Sequence, residues 1–296
     1  MPTNAPIALI PVICLLISSC LWGVFWYPLR QLEGLGLPGL WSTAIIFGSA
    51  LTFSLVLVGL RRARIRSHPL LLILLAIASG WCNVAFIQAV LSGNVVRVTL
   101  LFYLSPLWTV LLGRLILGER LQRSAQITMC IAMTGALVML WDRRLGFPWP
   151  QSQADWLAIS SGLGFALSNV LVRKLYEEDI WIKTIFAWIG VVAFAVIGIL
   201  LSASPAPAVA MNTIVLTVVI GGGAMVCMTL LVLYGLTHMP AHRAAVILLF
   251  EILAGAVSAQ WLTDEVVLIQ EWTGGLLIVA AAYYAARSQI VESKSC

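Results

Sequence analysis

Glu251 stands in the middle of the apolar run "ILLFEILAGAV", and it is the acidic residue that falls mid-way along any long apolar stretch of this chain. An ionised carboxylate in hydrocarbon costs several kcal/mol unless it faces water, pairs or takes up a proton. Such a group can couple protons, hold an amine, or sit protonated between helices. Trp81, Tyr103 and Trp108 fall at similar depth in their own stretches; each either packs or offers a ring face and an N–H or O–H donor to a flat or apolar ligand. Asn83 and Asn169 can accept from an ammonium or donate to a carboxylate, or bridge two helices. Pro106, in "FYLSPLWTVL", removes one helical hydrogen bond and imposes a static kink or a hinge. The candidate substrate-binding set is therefore Trp81, Asn83, Tyr103, Trp108, Asn169 and Glu251, with Pro106 as a gating candidate.

The elements that must position them follow from composition. Hydrophobic residues make up 61% of the 296 residues and charged ones 10%, against about 25% charge in a soluble domain. This predicts an all-α integral membrane protein. Ten stretches are long enough to cross a hydrocarbon core of about 30 Å: residues 7–29, 39–60, 69–91, 95–117, 122–141, 154–175, 181–202, 211–236, 242–262 and 269–287. The longest connection, 142–153, divides the chain into a first unit, 1–141, and a second, 154–296. No connection approaches domain size, so any chemistry must occur inside the helix bundle.

Positive residues flanking spans stay on the cytoplasmic side. With the N-terminus inside, all but four of the 17 Lys and Arg residues fall there, Arg61, Arg62, Arg64, Arg66, Arg120 and Arg123 among them; Arg30, Arg97, Arg143 and Arg144 fall outside. An even number of spans puts both termini in the cytoplasm and the chain in the inner membrane. The net charge of +5 describes this topology, and no soluble basic face offers itself to nucleic acid.

Internal repetition supports the division into two units. A shift of 142 lays Ser18-Ser19 on Ser160-Ser161, and a shift of 146 lays Arg97 on Arg243 and Glu119 on Glu265. Five helices per unit is odd, so the second unit must enter the membrane upside down. Inverted repeats of this kind are an architecture of transporters whose site lies between the halves.

Here the chain resembles a family. Leu21-Trp22-Gly23, Ser105-Pro106 and Leu117 to Arg120, in a ten-helix frame, are similar to the drug/metabolite transporter superfamily, and to its EamA-like branch in particular. "FYLSPLWTVL" is similar to the fourth helix of the aromatic amino-acid exporters of that branch. The second unit departs from the pattern: Ile252 stands where Pro106 would repeat, and Asp264 replaces the glycine before Glu265. The resemblance implies a monomeric exporter of amino acids, aromatic and other neutral ones among them, working by alternating access in the lipid bilayer with no cofactor. The alternative is an exporter of lipophilic cationic drugs, with Glu251 as counter-ion.

The other polar features are expected to be structural. Glu119 can pair with Arg123 and help begin the fifth helix. His238 and His242 are four apart, but Pro240 interrupts the helix and no third metal ligand is near; the six cysteines show no disulfide or metal spacing. "LLISSC" ending at Cys20 looks like a lipoprotein cleavage box, yet no positive n-region precedes it. "GGGAM" at 221–225 is expected to admit close helix packing, and Trp22 and Trp26 share a face of the first helix. Trp141, Trp149, Trp156, Trp261 and Trp272 fall near span ends, as interfacial anchors do. No paired acid and base, activated nucleophile or metal set emerges, so the chain is not expected to be an enzyme.

Overall fold

A backbone without water must satisfy its own hydrogen bonds, and the apolar stretches do so as helices. The computed structural model describes residues 5–61, 69–93, 95–119, 123–141, 150–262 and 268–295. Arg62, Arg64, Arg66, Arg120, Arg143, Arg144, Trp149, Asp264, Glu265 and most of the 142–153 linker lie outside the described residues. Among the described residues there is no strand. The helices are α1 (Ala5–Val24), α2 (Trp26–Gly34), α3 (Gly39–Arg61), α4 (Pro69–Ser92), α5 (Val95–Phe102), α6 (Ser105–Leu112), α7 (Arg123–Leu140), α8 (Gln153–Lys174), α9 (Ile180–Leu201), α10 (Met211–Val219), α11 (Val226–His238), α12 (Ala241–Leu248), α13 (Phe250–Leu262) and α14 (Ile269–Ser295). π-helical turns at Gly113–Leu117 and Ile220–Met225 extend α6 and join α10 to α11.

These helices run along all ten expected stretches. Among the described residues, eight segments are long and apolar enough to cross a membrane, the first being Leu9–Gly34 and the last Ala241–Leu262, while Ala125–Leu140 is apolar but shorter. Four stretches contain more than one helix because their backbones are interrupted inside the apolar run. Their outward surface is apolar, as at Leu115, Leu201 and Leu276, each at least 70% exposed. A patch of that extent on a soluble protein would mark an interaction surface; here it faces lipid.

Helix α4 packs against both α8 and α9, and α11 packs against α1 while the turn before it packs on α3. Helix α3 also lies on α9, and α7 runs along α14. Glycine permits the closest crossings. A Cβ on Gly135 would lie 2.7 Å from the Gly274 carbonyl oxygen and one on Gly274 2.5 Å from that of Gly135. Gly221, from the "GGGAM" run, meets the Ile46 carbonyl in the same way, as its composition suggests. The trytophan-rich ends also match expectation in part: Trp156 and Trp261 are well exposed, at 62% and 81%.

Candidate substrate site

The break after α5 follows from one missing donor. Pro106 has no N–H for the carbonyl of Phe102, and the chain tightens there: Leu104 N–H donates to Leu101 O at 3.3 Å and Leu107 N–H to Leu104 O at 3.0 Å. Helix α8 lies directly on the released carbonyl. A Cβ on Gly162 would stand 2.6 Å from the Phe102 oxygen, so this approach requires glycine. A second break separates α12 from α13 at Leu249, with Ile252 N–H donating to Leu249 O at 3.1 Å. No proline causes it. Tyr103 and Leu249 stand 146 residues apart, the spacing that relates Arg97 to Arg243.

The two breaks border one cavity, lined by Tyr103, Ser105, Pro106, Thr109, Phe165, Ala245, Leu248, Leu249 and Glu251. Its volume is about 10 Å³, room for one water. Glu251 lies in the first turn of α13, where the helix dipole favours negative charge, and it lines the cavity together with Tyr103 from across the break. The carboxyl is half-buried. Helix α1 supports this turn through Gly23, whose Cβ would meet the Glu251 carbonyl oxygen at 2.6 Å. A carboxyl and a phenol facing a small, mostly apolar chamber can hold an amine or pass a proton.

Ion pairs and caps close the bundle on either side of this chamber. At one end Arg97 Nε donates to both Asp155 oxygens, at 2.9 and 3.1 Å, and both residues are buried. Asp155 also accepts from Gln151 N–H and from Ser152 N–H in a capping box at the start of α8. At the other end Glu119 does not turn to Arg123. It caps α12 instead, accepting from Ala241 N–H at 3.2 Å and meeting His242 Nδ1 at 3.1 Å. The reason is geometric: the exposed Arg123 offers one screened charge, whereas the α12 terminus offers an unsatisfied backbone donor beside an imidazole. Burial pushes the Glu119 carboxyl up, but the bonds from His242 and Ala241 and the charges of His242 and Arg173 outweigh it and hold it below its ordinary value. Nearby, Lys183 Nζ donates to Thr237 Oγ1 at 2.6 Å, and Arg173 donates to the Thr237 carbonyl.

Residues 9–141 match the EamA-like transporter family. The chain is 27% identical over 168 residues to "Protein RarD" of Streptomyces exfoliatus, covering 52% of this chain and 49% of that one. It is 30% identical over 170 residues to "Uncharacterized transporter PA0485" of Pseudomonas aeruginosa, covering 54% and 53%. The chain thus spans about half the length of these curated relatives. One solved crystal structure superposes with a TM-score of 0.73 over 93% of this chain and 97% of its own, at 16% identity, which is a likeness of fold.

Within this helical frame the residues singled out by sequence are distributed unevenly. Tyr103, Pro106 and Glu251 line the cavity. Trp108 and Asn169 lie on the neighbouring α6 and α8, each with a buried nitrogen that has no hydrogen-bond partner among the described residues. Trp81 is 39% exposed, donating to Ser160 Oγ at 3.3 Å and meeting the Phe194 ring edge-on. Asn83 donates to the Ser79 carbonyl of its own helix at 2.9 Å. None of Trp81, Asn83, Trp108 and Asn169 is among the residues that line the cavity. Trp26 reaches across to α13, donating to Ser258 Oγ at 2.9 Å, and His238 bonds the Tyr234 carbonyl. Sequence reasoning missed Ser105, Thr109 and Phe165 as cavity walls; their spacing from Pro106 and from Ser161 is the signal that was available.

Proposed function

We propose that this chain exports amino acids, aromatic and other neutral ones among them, across the inner membrane by alternating access, acting as a monomeric transporter rather than an enzyme. The observation that carries the reading is the cavity that Tyr103 and Glu251 share between two interrupted helices. Interrupted spans at the midplane are where transporters of inverted-repeat design hold substrate.

In this reading residues 1–141 and 154–296 are two inverted five-helix repeats. Support comes from matched packing. Ser18 Oγ on α1 donates to Met228 O on α11 at 2.9 Å, and Ser161 Oγ on α8 donates to Cys82 O on α4 at 2.7 Å. Exchanging the two halves carries the acceptor Cys82 onto the acceptor Met228, by 146 residues, and the donor Ser18 onto Ser160, the neighbour of the donor Ser161. The helix breaks at Tyr103 and Leu249 obey the same relation. With both termini cytoplasmic, Arg97–Asp155 closes the outer end and Glu119 on α12 the inner one. A cavity sized for one water cannot hold an amino acid, so substrate enters only when one end opens and leaves when the other does. That alternation prevents a continuous leak.

The test is uptake by the purified protein in vesicles. A mixed panel of amino acids, offered with and without a pH gradient, should be moved above the rate of protein-free vesicles and without competition from quaternary amines. Movement of quaternary amines with no amino-acid flux would replace this reading by export of lipophilic cations, for which Glu251 is the counter-ion.

A further inference from the structure

We infer that Trp108 and Asn169 form an anchor for the carboxylate of the substrate, opposite the Tyr103–Glu251 pair that takes its ammonium. The inference rests on the amino-acid reading above and specifies its site. Trp108 Nε1 and Asn169 Nδ2 are both buried and, among the described residues, neither has a hydrogen-bond partner. Asn169 is 3% exposed. A buried N–H without a partner is costly, and a pair of them on neighbouring helices points to an acceptor that arrives from outside. An indole offers only a donor, so the arriving group must be an acceptor, as a carboxylate oxygen is.

Two contacts set the register that brings them level. Gly162 lies on the Phe102 carbonyl at one end of the α6–α8 contact, and Lys174 Nζ donates to Ile116 O at 3.3 Å at the other. The two helices therefore run side by side in the same direction. Interpolation places Asn169 level with Thr109 and Val110, within a turn of Trp108, and Thr109 is itself a cavity wall. Asn169 is also one turn on from Phe165, another wall, on the same face of α8. Trp108 lies five residues past Tyr103, on the other side of the turn that interrupts the span. The other unpartnered atoms do not make such a pair. Ser19 and Ser54 carry hydroxyls that can turn to their own helix, and Trp41 stands on α3, which supplies no wall of the cavity.

The experiment is counterflow in vesicles with three probes: L-phenylalanine, its amide, and phenethylamine, which lacks the carboxylate. The wild-type chain should move phenylalanine about tenfold faster than phenethylamine, as a site built to bond an oxygen discriminates against its loss. Trp108→Phe keeps the ring and removes the donor; Asn169→Asp keeps the shape and repels the anion. In each, with yield and monodispersity retained, the phenylalanine-to-phenethylamine ratio should fall toward one. If Asn169→Asp does not fold, Trp108→Phe decides alone. A ratio unchanged in the folded variants overturns the anchor, as does a wild-type chain that moves the three probes equally. The second result would leave amino-acid export standing, whereas a chain that moves only phenethylamine overturns both.

Discussion

Replacing Glu119 by Gln should loosen one end of the bundle by an amount that the geometry sets. The carboxylate accepts from Ala241 N–H with both oxygens at 3.2 Å and meets His242 Nδ1 at 3.1 Å, joining the end of one interrupted span to the beginning of another. Hydrogen bonds to a charged group contribute about 1.5–3 kcal/mol and neutral ones about 1. Gln keeps one oxygen for the backbone N–H and loses the charge, a net change of about 1–2 kcal/mol. That is a factor of about 5–30 in the ratio of closed to open. The assay places a single cysteine at Leu248, in the cavity wall, in a background without the native cysteines. Its rate of reaction with a polar thiol reagent applied from the Glu119 side should rise by that factor in Glu119→Gln. Acid should act in the same direction. Because the folded carboxyl titrates below its ordinary 4.5, its contribution is complete above pH 4.5 and is lost as the pH falls through the lower folded value. Equal labelling rates in the two folded proteins would refute the latch.

Pro106→Ala should restore a donor to the Phe102 carbonyl and straighten the fourth span; flux should fall while folded yield persists, and unchanged flux would leave only a packing role. Gly162→Ala puts a Cβ 2.6 Å from a backbone oxygen, so α8 must move; overpacking of this kind costs about 1–3 kcal/mol, to be read as a lower thermal midpoint in detergent. Glu251→Gln keeps shape and hydrogen bonding but cannot cycle a charge. Gradient-driven accumulation should vanish while downhill flux survives, and retained accumulation across pH 6 to 8 would eliminate proton coupling at this residue.

Much of this arrangement is written locally in the chain. Hydropathy marks the helical stretches because a span must be apolar along its whole length, and Pro106 announces its break because a missing N–H is a property of one residue. The break at Leu249 has no such sign. Ile252 can continue a helix, and the turn after the break is packed against α1 through Gly23, a contact no single residue announces. Glu119 shows the same limit from the other side. Arg123 is four residues away, but the donors that take the carboxylate are more than a hundred residues distant in sequence. Gly162 reads as one small residue among many until the Phe102 carbonyl is found against it. Ten stretches were legible as helices, yet length and hydropathy qualify eight as spans, since Ala125–Leu140 is short and α14 carries polar residues at both ends.

The account stands or falls on whether an amino acid passes through the chamber between the two broken helices. Vesicles containing the purified chain and loaded with unlabelled L-phenylalanine should take up labelled L-phenylalanine in a transient overshoot, the signature of a carrier exchanging one molecule at a time. Glu251→Ala should abolish that overshoot. No overshoot above protein-free vesicles in the wild-type chain, under conditions where a quaternary amine is exchanged, would contradict the account.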